Sequence, residues 1–268
     1  MAATIERSVS RPAKRSNDVF GGGKPMAIAA IVVTLFGFWR TFFSRLGQVD
    51  AAHMLHGALA TGWLVLVLVQ ASLIRSRQFK WHRVLGWASL PVFLLLIASS
   101  FYMITLMLSA KGGLAIPFET AKIFGYSDVT ALPLLIIIYA GAIILRKDRH
   151  VHSRLMPITL LAGLLPALAR FFFGISVLMG IAVADKGIEK ITAGLSLAMH
   201  PTYISVLGVL AIAIFVDWKN NRLRWPFPFA FVWLAINYAT FFQGMSSQWF
   251  DHLARAIAAM ARGQGSGV

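Results

Sequence analysis

The sequence predicts an all-α fold, a polytopic membrane helix bundle with about seven transmembrane helices, N-terminus in and C-terminus out. Three observations carry this reading. Of the 268 residues 58% are hydrophobic and 13% charged, about half the charged share of an ordinary soluble domain. Apolar runs near ~20 residues, the length a helix needs to cross a bilayer, recur seven times. Lys and Arg collect in alternate connectors, as the positive-inside rule requires.

The elements follow in order. Residues 1–24 are polar and basic, end in Gly21, Gly22, Gly23 and Lys24, and lack the apolar material for a core, so a disordered cytoplasmic tail is expected. The apolar runs lie near 26–43, 51–74, 84–109, 129–145, 155–181, 193–216 and 227–246. They make one transmembrane domain over 25–248, followed by a short polar or amphipathic tail over 249–268. A signal peptide is disfavoured for the first run, which starts late and is followed by Arg40 rather than a small-residue cleavage site.

Orientation comes from counting cations. The tail and the second, fourth and sixth connectors hold 16 Lys and Arg, among them Arg75, Arg83, Arg146, Arg154 and Arg222, against 8 on the other side. The net charge of +15 therefore reads as topology and contact with anionic headgroups, with membrane lipids as partners and no nucleic acid. The expected location is a bacterial inner membrane. Trp81, Trp87, Trp218 and Trp225 at one set of helix ends and Trp39 and Trp249 at the other match interfacial belts. The chain has no cysteine, which excludes disulfides, Cys-ligated zinc and iron–sulfur clusters and leaves His, carboxylates and Met as metal ligands.

Ionisable residues inside spans are costly, ~2.5–3.5 kcal/mol each at the centre, and each calls for a partner or a role. The second run opens with His53 and His56 on one face, in line with Trp63 and Gln70. Arg170 in the fifth run needs a carboxylate, a bound phosphate or a haem propionate, unless it snorkels to the headgroups. His200 precedes Pro201 in the sixth run, at a depth similar to His53, His56 and Arg170. The seventh run carries a polar stripe of Asn237, Thr240, Gly244, Gln248 and Asp251. At the other face His82 and Arg83, with His152 and Arg154, open the third and fifth runs, and the two connectors resemble each other as a weak internal repeat.

Paired histidines on separate membrane helices point to haem b, because two neutral imidazoles hold the iron from opposite faces while a cation neutralises a propionate. The expected outer metal pair is His56 with His200, with His53 and Arg170 for propionates or substrate; His82 with His152 is the weaker inner pair. Such a protein passes electrons to a quinone or another redox partner. Two alternatives stay open. One is zinc on His53, His56 and His200 in a membrane hydrolase; the other is a non-redox carrier or lipid-binding protein working through Arg170 and the histidines.

The stretch with His53, His56, Gly57, Gln70, His82, Arg83, Leu85 and Gly86, followed by His152, Arg154 and Met156, resembles a group of uncharacterised bacterial multi-pass membrane proteins with HxxHG, HRxLG and HxRxM motifs. The resemblance covers about residues 40–175. It implies a multi-pass membrane fold and assigns no activity. A looser similarity to cytochrome b561-like four-helix haem proteins, which also place histidines at opposite membrane faces, implies haem binding.

Overall fold

The computed structural model describes residues 23–109, 117–180 and 188–263, and among them every regular element is a helix. Residues 1–22 of the expected tail lie outside the described residues. The helices are α1 (Lys24–Phe38), α2 (Ala51–Arg75), α3 (Phe79–Leu108), α4 (Phe118–Ile144), α5 (Arg149–Gly163), α6 (Leu165–Leu178), α7 (Ile188–Lys219), α8 (Pro226–Met245) and α9 (Gln248–Gly263), with a short 3-10 segment, Phe43–Gln48, after α1. Four helices, α2, α3, α4 and α7, are long and apolar enough to cross a membrane, and α5 with α6 makes a fifth if the bent pair is one span.

The helix starts follow capping chemistry. The Asp50 carboxylate accepts from the Ala52 and His53 amides at 3.0 and 3.1 Å and opens α2. Asp148 does the same for α5 with His150 and Val151, at 2.9 and 3.1 Å. Each satisfies two of the amides that the first turn leaves without helical partners.

Three boundaries differ from the hydropathy reading, each for a physical reason. α4 begins at Phe118, a turn or more before the apolar run, because its polar positions are satisfied by neighbours: Lys122 bonds Glu119 and Asp251, and Thr120 meets Thr192 at 2.9 Å. The fifth run is two helices bent by 42°; Pro166, at the start of α6, has no N–H for the carbonyl one turn back. The expected polar tail is mostly α9, an amphipathic helix whose Phe250, Ala254, Ile257, Ala258 and Ala261 are buried at helical spacing and which packs along α3.

Neighbouring hairpins build the bundle: α2 packs on α3, α4 on α5, and α7 on α8. α1 bridges α2 and α6, and α6 leads on to α7. Small residues permit the closest approach. A Cβ on Gly37 of α1 would run into the backbone carbonyl of Ala167 on α6, and one on Gly244 of α8 would meet the Tyr126 ring. The core centres on α4, where Ile123, Leu134 and Ile138 are fully enclosed, with Tyr203 and Phe241 from α7 and α8.

Candidate functional site

The connectors α2–α3, α4–α5 and α7–α8 gather at one end of the bundle, and their basic residues are more than headgroup contacts. Arg154, in the second turn of α5, is buried against Asp217 of α7. Its Nε and one Nη donate to the two carboxylate oxygens, the latter at 2.8 Å. The guanidinium also donates to the His150 carbonyl at 2.8 Å and the Arg222 carbonyl at 3.2 Å. This fork-on-carboxylate clamp ties α5 to the end of α7. Sequence reasoning placed Arg154 among topological cations and missed the clamp; the signal was Asp217, an acid directly at the end of the apolar run of α7 beside a basic connector.

Next to the clamp, the structure brings His82 and His152 together. Each sits in the first turn of its helix, α3 and α5, and the rings meet edge to face with centroids 6.3 Å apart and planes at 85°. His152 Nδ1 lies 2.8 Å from the Ala142 carbonyl. A carbonyl only accepts, so this nitrogen carries the proton and Nε2 of the neutral ring is a free lone pair. Gln70 of α2 donates from Nε2 to the His82 carbonyl at 3.2 Å, and Gly86 leaves room beside that amide, its missing Cβ 3.7 Å from Gln70 Nε2. Thus Gln70, His82, Gly86 and His152, far apart in sequence, form one cluster.

Above it, towards the bundle middle, lies an aromatic group. Phe93 stacks on Tyr139 at 3.9 Å, and Trp63 packs against both, at 5.1 and 5.2 Å. Three buried polar atoms among these residues have no hydrogen-bond partner: Trp63 Nε1, Gln70 Oε1 and His82 Nδ1. An orphaned buried donor or acceptor costs ~1–3 kcal/mol, so these three are the costliest polar atoms of the α2–α3 interface.

The other expected residues have partners of their own. His53 Nδ1 is 2.6 Å from Asp50, whose carboxyl the His53 amide, ahead of its side chain, holds below the usual carboxylate range. His56 Nδ1 meets Ser99 Oγ of α3 at 3.1 Å. His200 Nδ1 meets the Tyr238 hydroxyl of α8 at 2.8 Å. His56 and His200 thus bond to different helices, α3 and α8. Arg170 donates to the Pro166 carbonyl at 3.0 Å and lies between the rings of Phe38 and Phe124, at 4.6 and 5.0 Å; it interacts electrostatically with Asp128 and His56.

The polar stripe is divided: Asn237 and Gly244 are buried, Asp251 is half-buried, and Thr240 and Gln248 are exposed. Asn237 accepts from the Tyr203 hydroxyl at 2.6 Å, Thr240 faces Tyr126 at 3.4 Å, and Asp251 bonds Lys122 at 3.1 Å. Among the described residues no group of three or more His, Asp or Glu is arranged to hold a metal ion.

Comparison with known proteins matches no family model, no curated protein and no solved structure. What the site does is therefore argued from its geometry.

Proposed function

We propose that this chain is a bacterial inner-membrane protein of seven crossings, N-terminus in and C-terminus out, whose histidines hold a b-type haem and pass electrons. Counting α1, the bent α5–α6 pair and α8 as crossings brings the helices to seven. The uneven distribution of Lys and Arg then puts the three clustered connectors in the cytoplasm.

The observation that carries the haem reading is the His82–His152 pair. Two imidazoles from different helices, with ring centroids 6.3 Å apart, are the residues that would hold the haem iron. The donor set fits as well: His152 is held by its Nδ1 proton with Nε2 free, as orienting bonds to ligand histidines require, and His82 has a buried nitrogen that no protein group occupies. Arg83, Arg146 and Arg149 at the same end supply cations for propionates. The expected outer pair, His56 and His200, already bonds Ser99 and Tyr238 through Nδ1. When bound, a b-type haem supplies reversible one-electron transfer. The chain's own part is to fix the tautomer of His152 through Ala142, to hold α5 against α7 through Arg154 and Asp217, and to close the site from the bundle middle with Trp63, Phe93 and Tyr139.

The test is an absorption spectrum of detergent-purified protein made in haem-supplied cells, oxidised and dithionite-reduced. Sharp reduced bands of a six-coordinate b-type haem are expected, lost in His82→Ala and in His152→Ala and kept in His56→Ala. A folded, colourless protein refutes the reading.

A second reading, a non-redox carrier or lipid-binding protein, draws on Arg170. Its guanidinium, stacked between two aromatic rings, donates to the Pro166 carbonyl and sits within electrostatic reach of Asp128, a cationic group of the kind that holds an anionic headgroup. It expects pigment-free protein whose pH-dependent flux is lost in Arg170→Ala.

A further inference from the structure

Asp128 and Arg170 are opposite charges at bilayer depth that attract each other without touching. Asp128 stands ten residues into α4, about 15 Å along the axis from its start, and Arg170 sits in the second turn of α6. A charge at such depth is costly unless it is paired, and each of these lies in the other's field. Yet among the described residues no ion pair joins them and no hydrogen-bond donor reaches the Asp128 carboxylate. At the other end of the bundle the same kind of pair closes fully, with the Arg154 fork on Asp217.

The reason for the gap is local. The Arg170 guanidinium is held on its own side by the Pro166 carbonyl, to which it donates at 3.0 Å, and by the rings of Phe38 and Phe124, at 4.6 and 5.0 Å. Tyr203 of α7 also lies in the field of Asp128, but its hydroxyl proton goes to Asn237 at 2.6 Å. His56 of α2 lies in the field of Arg170. Its Nδ1 donates to Ser99, whose own proton goes to the Leu96 carbonyl at 2.9 Å.

The place is also open. Asp128, Arg170 and His56 are all partly exposed. Gly174 lies one turn beyond Arg170 on the same face of α6, and a Cβ added there would meet no described atom within 4 Å.

Such a pair selects its ligand by charge. A simple anion drawn to Arg170 is repelled by Asp128, and a simple cation drawn to Asp128 is repelled by Arg170, so neither gains much from charges that sum to zero. A molecule carrying both charges gains from both. We propose that the gap between Asp128 of α4 and Arg170 of α6 binds a zwitterion, an ammonium group a few bonds from a carboxylate or phosphate. The anion lies on the Arg170 fork, which suits either group, and the ammonium on the Asp128 carboxylate. An aminated phospholipid head group and a free amino acid share this chemistry. The proposal rests on the second reading above for the binding role of Arg170; it needs no haem.

The experiment is isothermal titration of the full chain in maltoside with dihexanoyl phosphatidylethanolamine and leucine as zwitterions, and with dihexanoyl phosphatidylglycerol as an anion of equal tails without the ammonium. Saturable binding near one per chain is expected for a zwitterion, about tenfold tighter than for the phosphatidylglycerol. Whichever zwitterion binds names the source, lipid or solute. Asp128→Asn keeps the shape and removes the repulsion, so it should weaken the zwitterion about tenfold and strengthen the phosphatidylglycerol by a similar factor. Arg170→Gln should weaken the zwitterion alike. Circular dichroism verifies each fold, and if Asp128→Asn does not fold the wild-type ranking decides alone. A packing role for Asp128 would not invert that ranking. The proposal is overturned by a folded wild-type chain that binds neither zwitterion saturably, by phosphatidylglycerol binding as tightly, or by a folded Asp128→Asn that keeps the wild-type preference. Zwitterion binding without flux in proteoliposomes removes the carrier of the second reading and leaves this site standing.

Discussion

The Arg154–Asp217 clamp makes the sharpest mechanical prediction. Arg154→Met keeps the apolar stem of the side chain but deletes four hydrogen bonds, two to Asp217 and one each to the carbonyls of His150 and Arg222. It leaves Asp217, with its side chain 12% exposed, a buried charge without its cation. Removing one member of a buried pair costs ~3–5 kcal/mol, most of it the penalty on the survivor. Asp217→Leu strands the guanidinium instead and should cost a similar amount. The double variant removes both charges and replaces them with apolar volume, so it should be milder than the sum of the two by about 2 kcal/mol. Equilibrium unfolding in mixed dodecyl sulfate and maltoside micelles, followed by circular dichroism, measures all three. Single-variant losses below ~1 kcal/mol, or strict additivity, would refute the clamp and return Arg154 to the status of an exposed interfacial cation.

Two further outcomes are expected. Gly37→Ala would push a methyl group into the Ala167 carbonyl, where backbone cannot yield as a side chain would; a loss of ~1–3 kcal/mol in the same unfolding assay is expected, and a neutral result would show that α1 and α6 separate freely. The docking of α9 should be acid-sensitive. Arg255 of α9 itself, ahead of Lys122 of α4, holds the Asp251 carboxyl below its ordinary value of 3.8, so the Lys122–Asp251 tie between α4 and α9 is complete above that pH and is lost as pH falls through the depressed value, loosening a helix that its apolar face still holds. Limited proteolysis of α9 against pH should rise below 3.8 in the wild type, and Asp251→Asn should be cut at all pH values; a pH-independent wild-type profile would contradict the role of Asp251.

Composition and periodicity were enough for an all-helical, membrane-compatible chain, because burying or exposing apolar surface is a property of each run by itself. The same local logic marked His53, His56, His82, His152, Arg170 and His200 as costly groups in need of partners. Which partner each one has is a matter of which helices touch, and spacing along the chain carries no trace of that. His56 and His200 look alike in sequence, yet one bonds Ser99 of α3 and the other Tyr238 of α8, while His82 and His152, seventy residues apart, meet because two hairpins set their first turns side by side. Arg154 read as a topological charge until Asp217 enclosed it. α4 outran its hydropathy for a related reason: Thr120 and Lys122 are tolerated in a helix only because Thr192 and Asp251 arrive from elsewhere to satisfy them. By itself, the sequence determined which segments are helical and apolar and which groups are expensive to bury, since those are free energies of transfer for single segments. Tertiary structure alone decided which polar groups are paired and which, like Trp63 and Gln70, are left open, since a hydrogen bond needs two atoms brought within 3 Å or so of each other.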